Sequence, residues 1–119
     1  MKKVLVVEDN LLNLELVLDI LVAMGFETRG VEDGKEALGI IENEQYDLVL
    51  MDIELPGMNG IEVRDNIKRK KSYEKVPVIA LTAYAMKGDK ERLIASGFDD
   101  YMAKPIDVVE FIKKLDKYK

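Results

Sequence analysis

Two kinds of apolar segment alternate along the chain. Short runs, mostly rich in β-branched residues and typical of strands, lie at Val4–Val7, Phe26–Val31, Tyr46–Met51, Val76–Leu81 and Asp100–Ala103. The second and the fifth of these runs are the weaker ones. Longer segments with apolar residues at helical spacing lie at Leu11–Met24, Lys35–Glu42, Gly60–Lys71, Lys87–Ser96 and Val108–Tyr118. The pattern predicts five strands and five helices in strict alternation.

Residues that favour helix ends support these boundaries. An acceptor side chain followed three residues later by glutamate has the spacing of a capping box, which occurs at Asp33–Glu36, Asn59–Glu62 and Asp107–Glu110. Gly25 and Gly97 follow two of the predicted helices, where glycine commonly ends a helix. The first helix could be capped by either Asp9 or Asn10.

Strict alternation of strands and helices implies a parallel sheet with helices on both faces. The first and third runs are continuously apolar, as expected of strands that are buried on both faces. The length of 119 residues suits one domain, and the chain contains no internal repeat, low-complexity segment or linker. The prediction is an α/β fold with three layers and a doubly wound sheet.

Two absent residue types narrow the chemistry. The chain has no cysteine, which excludes disulfides, thiolate metal sites and cysteine catalysis. It also has no histidine, which excludes a Ser-His-Asp triad and a histidine metal site. Acid-base or metal chemistry must therefore use carboxylates, lysine, tyrosine or hydroxyl groups.

Charge and hydropathy limit the partners and the compartment. The net charge is −5, and the one dense basic run, Lys68–Lys71, is more typical of a helix end than of a nucleic-acid site. No apolar run approaches the length of about 18 residues that a membrane helix needs. The apolar run after Met1 is too short for a signal peptide. We expect a cytoplasmic protein with neither nucleic acid nor membrane as a partner.

Polar residues follow the predicted strands. In a doubly wound sheet, ligands bind beyond the carboxyl ends of the strands. Glu8 and Asp9 follow the first run, and Asp52 follows the third. If those two strands are neighbours, three carboxylates converge and need a hard divalent cation, for which Mg²⁺ is the best match. Solvated or capping acids remain an alternative for Glu8 and Asp9 taken alone.

A hydroxyl and an ammonium group follow the fourth and fifth runs. Thr82 offers a neutral donor and Lys104 a flexible cation that can reach a phosphoryl oxygen. Taken singly, Thr82 is better explained as a strand residue and Lys104 as a surface lysine. Together with the carboxylates, they indicate a site where Asp52 attacks phosphorus and becomes an aspartyl phosphate.

These segments resemble the receiver domain of two-component response regulators. The residues that carry the resemblance are Glu8–Asn10, Met51–Pro56 with Gly60, Thr82–Ala83 and Lys104–Pro105. Further likeness to single-domain receivers, and to receivers of hybrid histidine kinases, lies in residues 85–89 and 99–105. The resemblance implies a (βα)5 flavodoxin-like fold with strand order 2-1-3-4-5, carried over from the family. It also implies that residues 1–119 form a single receiver domain without an output domain.

The resemblance also implies roles for the strand-end residues. Asp52 matches the phosphoacceptor. Mg²⁺, with Mn²⁺ as a possible substitute, would bind Asp9 and Asp52 directly, Glu8 often through water, and the backbone carbonyl of Glu54. The groups expected to bind or respond to the phosphoryl group are the Thr82 hydroxyl, the Ala83 N–H and the Lys104 ammonium.

Four more positions carry family roles. Tyr101 matches an aromatic switch, with a half-buried strand tyrosine as an equal alternative. Pro105 matches a proline that usually follows a cis peptide bond. Glu54 and Tyr84 stand where the family tunes dephosphorylation, and a carboxylate and a bulky ring there leave the lifetime of the acyl phosphate open.

The function implied is a switch driven by phosphorylation. Since the chain lacks histidine, the phosphoryl donor must be another protein, either a sensor histidine kinase or a histidine phosphotransfer protein. The response is expected on a surface around helix 4, strand 5 and helix 5 that includes Lys87, Lys90, Tyr101 and Val108. Output is expected through a downstream protein target or onward phosphotransfer, from a monomer or weak dimer. The first helix would dock on a kinase helical bundle, although deep packing explains most of its leucines equally well.

Two other functions remain as alternatives. One is a phosphorylation-independent interaction module with the same fold. The other is a Mg²⁺-dependent phosphatase with an aspartyl-phosphate intermediate, which would need a lid for its substrate. The preferred interpretation is not an enzyme in the usual sense, because the protein would catalyse only its own phosphorylation and dephosphorylation.

Overall fold

The structure is a computed structural model in which residues 2–83 and 88–119 are described. The strands are β1 (Lys3–Val7), β2 (Glu27–Val31), β3 (Leu48–Asp52), β4 (Val78–Thr82) and β5 (Asp100–Ala103). The helices are α1 (Leu11–Ala23), α2 (Gly34–Ile41), α3 (Gly60–Arg69), α4 (Asp89–Ser96) and α5 (Val108–Asp116). A short 3-10 turn, Lys71–Tyr73, follows α3. All strand pairs are parallel, in the order β2-β1-β3-β4-β5, so the predicted fold and strand order are confirmed.

Two apolar clusters lie on opposite faces of the sheet. One contains Val7 and Val49 from the strands and packs under α2, α3 and α4. The other contains Val6 and Leu50 and packs under α1 and α5. Because successive side chains of a strand point to opposite faces, a strand between two helical layers must be apolar throughout. This requirement explains the continuous apolar runs of β1 and β3.

The helix starts follow the predicted capping pattern. The side chains of Asp33, Asn59 and Asp107 each accept a hydrogen bond from the backbone N–H three residues later. At α1 the cap is Asn10, whose Oδ1 lies 3.0 Å from the Asn13 nitrogen. Asp9 is therefore not the cap of α1. No helix in the described ranges is long and apolar enough to cross a membrane.

Strands β3 and β4 each begin two residues later than predicted and end one residue later. The Tyr46 N–H donates to the Tyr73 hydroxyl rather than to a neighbouring strand. Pro77, which has no N–H to donate, precedes the first residue of β4. At the other ends of these strands, Asp52 pairs with Leu81 and Thr82 pairs with Ala103, so both are the last residues of their strands rather than the first residues after them.

The helix ends differ from prediction in smaller ways. Helix α3 ends at Arg69 because the backbone of Lys70 is extended before the 3-10 turn. Helices α1 and α5 end at Ala23 and Asp116, slightly before the predicted ends. Lys87, the predicted start of the fourth helix, lies outside the described residues.

The register brings four carboxyl ends of strands to one edge. Val7 pairs with Met51, so β1 and β3 end side by side. Asp52 pairs with Leu81 across β3 and β4, and Thr82 pairs with Ala103 across β4 and β5. The residues at these strand ends are therefore close in space although they are distant in sequence.

A close backbone approach fixes the loop that leaves β3. The Gly60 N–H donates to the Ile53 carbonyl at 3.0 Å. A Cβ atom on Gly60 would lie 2.5 Å from the Asp52 carbonyl oxygen and 2.9 Å from the Ile53 Cα. Only glycine allows α3 to begin so close to the phosphoacceptor candidate without a shift of the backbone.

We predict that Gly60→Ala lowers the free energy of unfolding by about 1–3 kcal/mol, because the new methyl group overlaps backbone atoms. Gly39→Ala is the matched control, since a Cβ atom there meets nothing within 4 Å. That substitution in α2 should stabilise the protein by about 0.5–1 kcal/mol. Urea unfolding of both variants measures the difference, and equal stability of the two would contradict the steric explanation.

Candidate functional site

Three carboxylates meet where β1 and β3 end. Each of Glu8, Asp9 and Asp52 offers an oxygen atom, and these atoms lie within 4.8 Å of one another. The Glu8 and Asp52 residues are 0% and 1% exposed, whereas Asp9 is exposed. The site therefore combines two buried acids with one that faces solvent.

Lys104 lies between the two buried carboxylates. Its Nζ is 2.7 Å from Glu8 Oε1 and 3.0 Å from Asp52 Oδ2. The backbone N–H of Lys104 donates to the Thr82 carbonyl at 2.8 Å, and this bond holds Lys104 at the end of β4. The peptide bond between Lys104 and Pro105 is cis.

Backbone N–H groups hold both acids in place. The Asn10 N–H donates to Glu8 Oε2 at 3.2 Å. The Glu54 N–H donates to Asp52 Oδ1 at 2.9 Å. Each oxygen of Asp52 therefore has a donor, one from the following turn and the other from Lys104.

The environment separates the pKa values of the two acids. Burial, and then the contact with Asp52, raise the pKa of Glu8 to about 7. Burial also acts to raise the pKa of Asp52, but the contact with Glu8, the Glu54 N–H and the Lys104 ammonium outweigh it and lower this pKa. The pKa of Lys104 is raised because its two carboxylate partners outweigh its own burial.

The donor set fits a hard divalent cation. Glu8 Oε1 is buried and accepts no aligned hydrogen bond, so its contact with Lys104 is an ion pair only. One ammonium group cannot neutralise three carboxylates, and oxygen ligands of this kind are those that Mg²⁺ prefers. Glu8, Asp9 and Asp52 are the side chains that could hold the ion.

The end of β4 presents a second group of donors. Thr82 is buried, and its Oγ1 lies 3.4 Å from Glu54 Oε1. The Ala83 N–H donates to the same carboxylate oxygen at 3.2 Å. The sequence placed Glu54 near the site but gave no sign that its side chain would reach these donors, since the contact spans two loops.

Tyr101 lies on β5, further from the carboxylates. Its ring is half-buried against the apolar cluster under α2, α3 and α4. Lys114 Nζ lies 5.0 Å from the centre of this ring. Val108, at the start of α5, is exposed.

The side chains of three residues named from the sequence lie outside the described part of the structure. Tyr84 and Lys87 lie outside the described residues. Lys90 belongs to α4, but its side chain is outside the described part of the chain.

The chain belongs to the response regulator receiver domain family, whose sequence model matches residues 4–116. It is 44% identical over 117 residues to the polar-differentiation response regulator DivK of Brucella ovis, covering 98% of this chain and 95% of that protein. The protein is therefore a component of two-component signalling, in a family that works with histidine kinases or phosphotransfer proteins.

Two solved structures show the same fold. The receiver domain of a Pseudomonas aeruginosa sensor histidine kinase, with a magnesium ion in its active-site cleft, is 35% identical with a TM-score of 0.87. That comparison covers 98% of this chain and 96% of the other. Response regulator TrrA of Thermotoga maritima, in complex with Mg²⁺ and BeF, is 36% identical over 100% of both chains, with a TM-score of 0.87.

We predict that Mg²⁺ affinity rises with pH up to about 7 and levels off above it. Below that pH the ion must displace the proton of Glu8, so the affinity should change by up to about tenfold per pH unit. Calorimetric titration between about pH 5 and pH 9 measures this dependence.

The control for this titration is Glu8→Gln, which cannot lose a proton. It should bind Mg²⁺ more weakly, without the rise in affinity as pH approaches neutrality. A wild-type affinity that stays constant across the neutral range would contradict the role assigned to Glu8.

Proposed function

We propose that Asp52 accepts a phosphoryl group from a phosphohistidine of a partner protein and thereby switches a protein-binding surface. The observation that carries this proposal is the placement of Asp52 at the end of β3. Its carboxylate is buried, both of its oxygens have donors, and it lies beside Lys104 and two further acids that fit a cation. This is an arrangement for a carboxylate nucleophile in a site that neutralises phosphoryl charge.

In the transfer step, a carboxylate oxygen of Asp52 forms a bond to phosphorus. The bond between phosphorus and the donor's imidazole nitrogen breaks, and its electron pair stays on that nitrogen. Bound Mg²⁺, or Mn²⁺ in its place, would supply positive charge at the phosphoryl oxygens. We assign its ligands to the side chains of Glu8, Asp9 and Asp52 and to the backbone carbonyl of Glu54.

Lys104 prepares the site for this step. Its ammonium already contacts Asp52 at 3.0 Å and can follow the negative charge onto a phosphoryl oxygen. The lowered pKa of Asp52 keeps this carboxylate ionised at neutral pH, as a nucleophile must be. The raised pKa of Glu8 means that, without a bound cation, a proton taken up by these two acids goes to Glu8, the one that does not attack.

The new phosphoryl group would then recruit the donors at the ends of β4 and β5. These donors are the Thr82 hydroxyl, the Ala83 N–H and Lys104. Movement of Thr82 toward the phosphoryl group leaves room for Tyr101 to turn inward, which changes the surface formed by α4, β5 and α5. Val108 is exposed at the start of α5, and the family resemblance implies that Lys87 and Lys90 contribute to the same surface.

The phosphorylated state would end through hydrolysis at the same site. We infer that Glu54 and Tyr84 set its lifetime, because the family resemblance implies that both positions tune dephosphorylation. The protein would hydrolyse only its own aspartyl phosphate.

The partner class follows from the chemistry of the donor. The chain contains no histidine, so the phosphohistidine of the proposed transfer belongs to another protein, a sensor histidine kinase or a histidine phosphotransfer protein. The family resemblance implies that α1 docks on a helical bundle of the kinase, and its exposed Leu11, Leu12 and Val22 offer an apolar surface for that contact. The downstream partner is a protein that reads the switched surface or takes the phosphoryl group onward.

We predict that acetyl phosphate with Mg²⁺ adds one hydroxylamine-labile phosphoryl group to the protein, measured as intact mass. Asp52→Asn should abolish the gain because an amide cannot attack phosphorus. Asp19→Asn is the matched control, since Asp19 is an exposed aspartate on α1 and should leave the gain unchanged.

A wild-type protein that binds Mg²⁺ yet gains no phosphoryl group would contradict this function. A phosphorylation-independent interaction module would then be the better interpretation. Repeated hydrolysis of a phosphomonoester would instead favour the aspartyl-phosphate phosphatase.

A further inference from the structure

The Glu54 carboxylate already occupies the donors that the phosphoryl group is proposed to use. Glu54 Oε1 accepts the Ala83 N–H at 3.2 Å and lies 3.4 Å from Thr82 Oγ1. A backbone N–H next to a hydroxyl is a favourable place for an anionic oxygen. In this structure the anion that fills it belongs to the protein itself.

Glu54 is tied to the phosphoacceptor by the same turn. Its own N–H donates to Asp52 Oδ1 at 2.9 Å, while its side chain reaches from the end of β3 to the end of β4. Its carboxylate is thereby held at the edge of the site that a phosphoryl group on Asp52 would enter.

We propose that Glu54 is a built-in competitor of the phosphoryl group, whose carboxylate must leave the Ala83 N–H and Thr82 before a phosphoryl oxygen can bind them. This inference rests on the proposed function and adds to it a residue that opposes the switch. Two reasons support the competition. A single N–H makes one well-aligned hydrogen bond, and two anions on the same donors repel each other.

The competition has a direct consequence for the switch. Displacing Glu54 offsets part of the free energy that the phosphoryl group gains from its new contacts. Thr82 is therefore recruited less completely than in a protein with a neutral residue at position 54. Removing the carboxylate should therefore strengthen binding of a phosphoryl group or of its mimic.

The test uses beryllium fluoride as the phosphoryl mimic, titrated into the whole protein at saturating Mg²⁺. Saturation keeps any change in metal affinity from altering the result, and a separate titration with Mg²⁺ alone measures that affinity. The variants are Glu54→Ala and Glu54→Gln. The matched control is Glu74→Ala, which removes one exposed carboxylate just before β4, at the opposite end of the sheet.

Glu54→Ala should bind the mimic about three- to tenfold more tightly than the wild type, as expected for the loss of two competing hydrogen bonds. Glu54→Gln keeps the acceptor oxygen without its charge and should gain less. Glu74→Ala should match the wild type. An affinity for Glu54→Ala that equals or falls below that of Glu74→Ala would overturn the proposal.

A second readout reports on the contact itself. The amide proton of Ala83 should shift upfield in Glu54→Ala before the mimic is added, because its hydrogen bond is lost. After saturation with the mimic, the Ala83 signals of the variant and the wild type should nearly coincide. An Ala83 amide signal unchanged by Glu54→Ala would also overturn the proposal.

The experiment separates failure of this inference from failure of the function. If the wild type binds the mimic and Asp52→Asn does not, the phosphoacceptor role stands whatever Glu54 does. If the wild type does not bind the mimic at saturating Mg²⁺, the function and the competition both fall.

Discussion

Two buried carboxylates share a single ammonium group, and this excess of negative charge determines the chemistry at the carboxyl ends of the strands. Glu8 and Asp52 are held at the ends of adjacent strands, with Lys104 between them. Buried charge is costly unless it is paired and hydrogen-bonded, and here one acid can be neutralised only by taking up a proton or by gaining a cation. The strongly raised pKa of Glu8 is the direct expression of this constraint.

The rest of the fold holds the two buried carboxylates in place. The apolar residues of β1 and β3 pack between two helical layers, so these strand ends cannot separate to let the carboxylates reach water. The close approach of Gly60 to the Asp52 carbonyl fixes the turn whose N–H holds Asp52 Oδ1. The apolar sheet therefore holds the carboxylates together at the edge where a cation and a phosphoryl group would bind.

At the same edge of the sheet, Lys104 and Glu54 have opposite effects on an incoming phosphoryl group. Lys104 favours the incoming negative charge, whereas Glu54 places a carboxylate on the N–H and hydroxyl donors beside it. A signalling protein benefits from such balance, because a switch must be reversible and its two states must be close in free energy. The proposed competition would let Glu54, two residues after Asp52, adjust how strongly this chain responds to phosphorylation.

Short-range patterns in the amino-acid sequence were sufficient to predict the features that depend on neighbouring residues. Hydrophobic periodicity determined the alternation of strands and helices, and capping side chains such as Asp33 and Asn59 determined where helices begin. Family resemblance supplied the strand order and the roles of the strand-end residues. Without it, the sequence predicted that the carboxylates converge only if β1 and β3 are neighbours.

Which side chains meet depends on how the strands pair in three dimensions. The pairing of Asp52 with Leu81 and of Thr82 with Ala103 made these two residues the last of their strands. It also placed Lys104 between two acids and the Glu54 carboxylate on the Ala83 N–H. Periodicity and capping act over a few residues, whereas these contacts join positions brought together by strand pairing, so no local pattern could encode them.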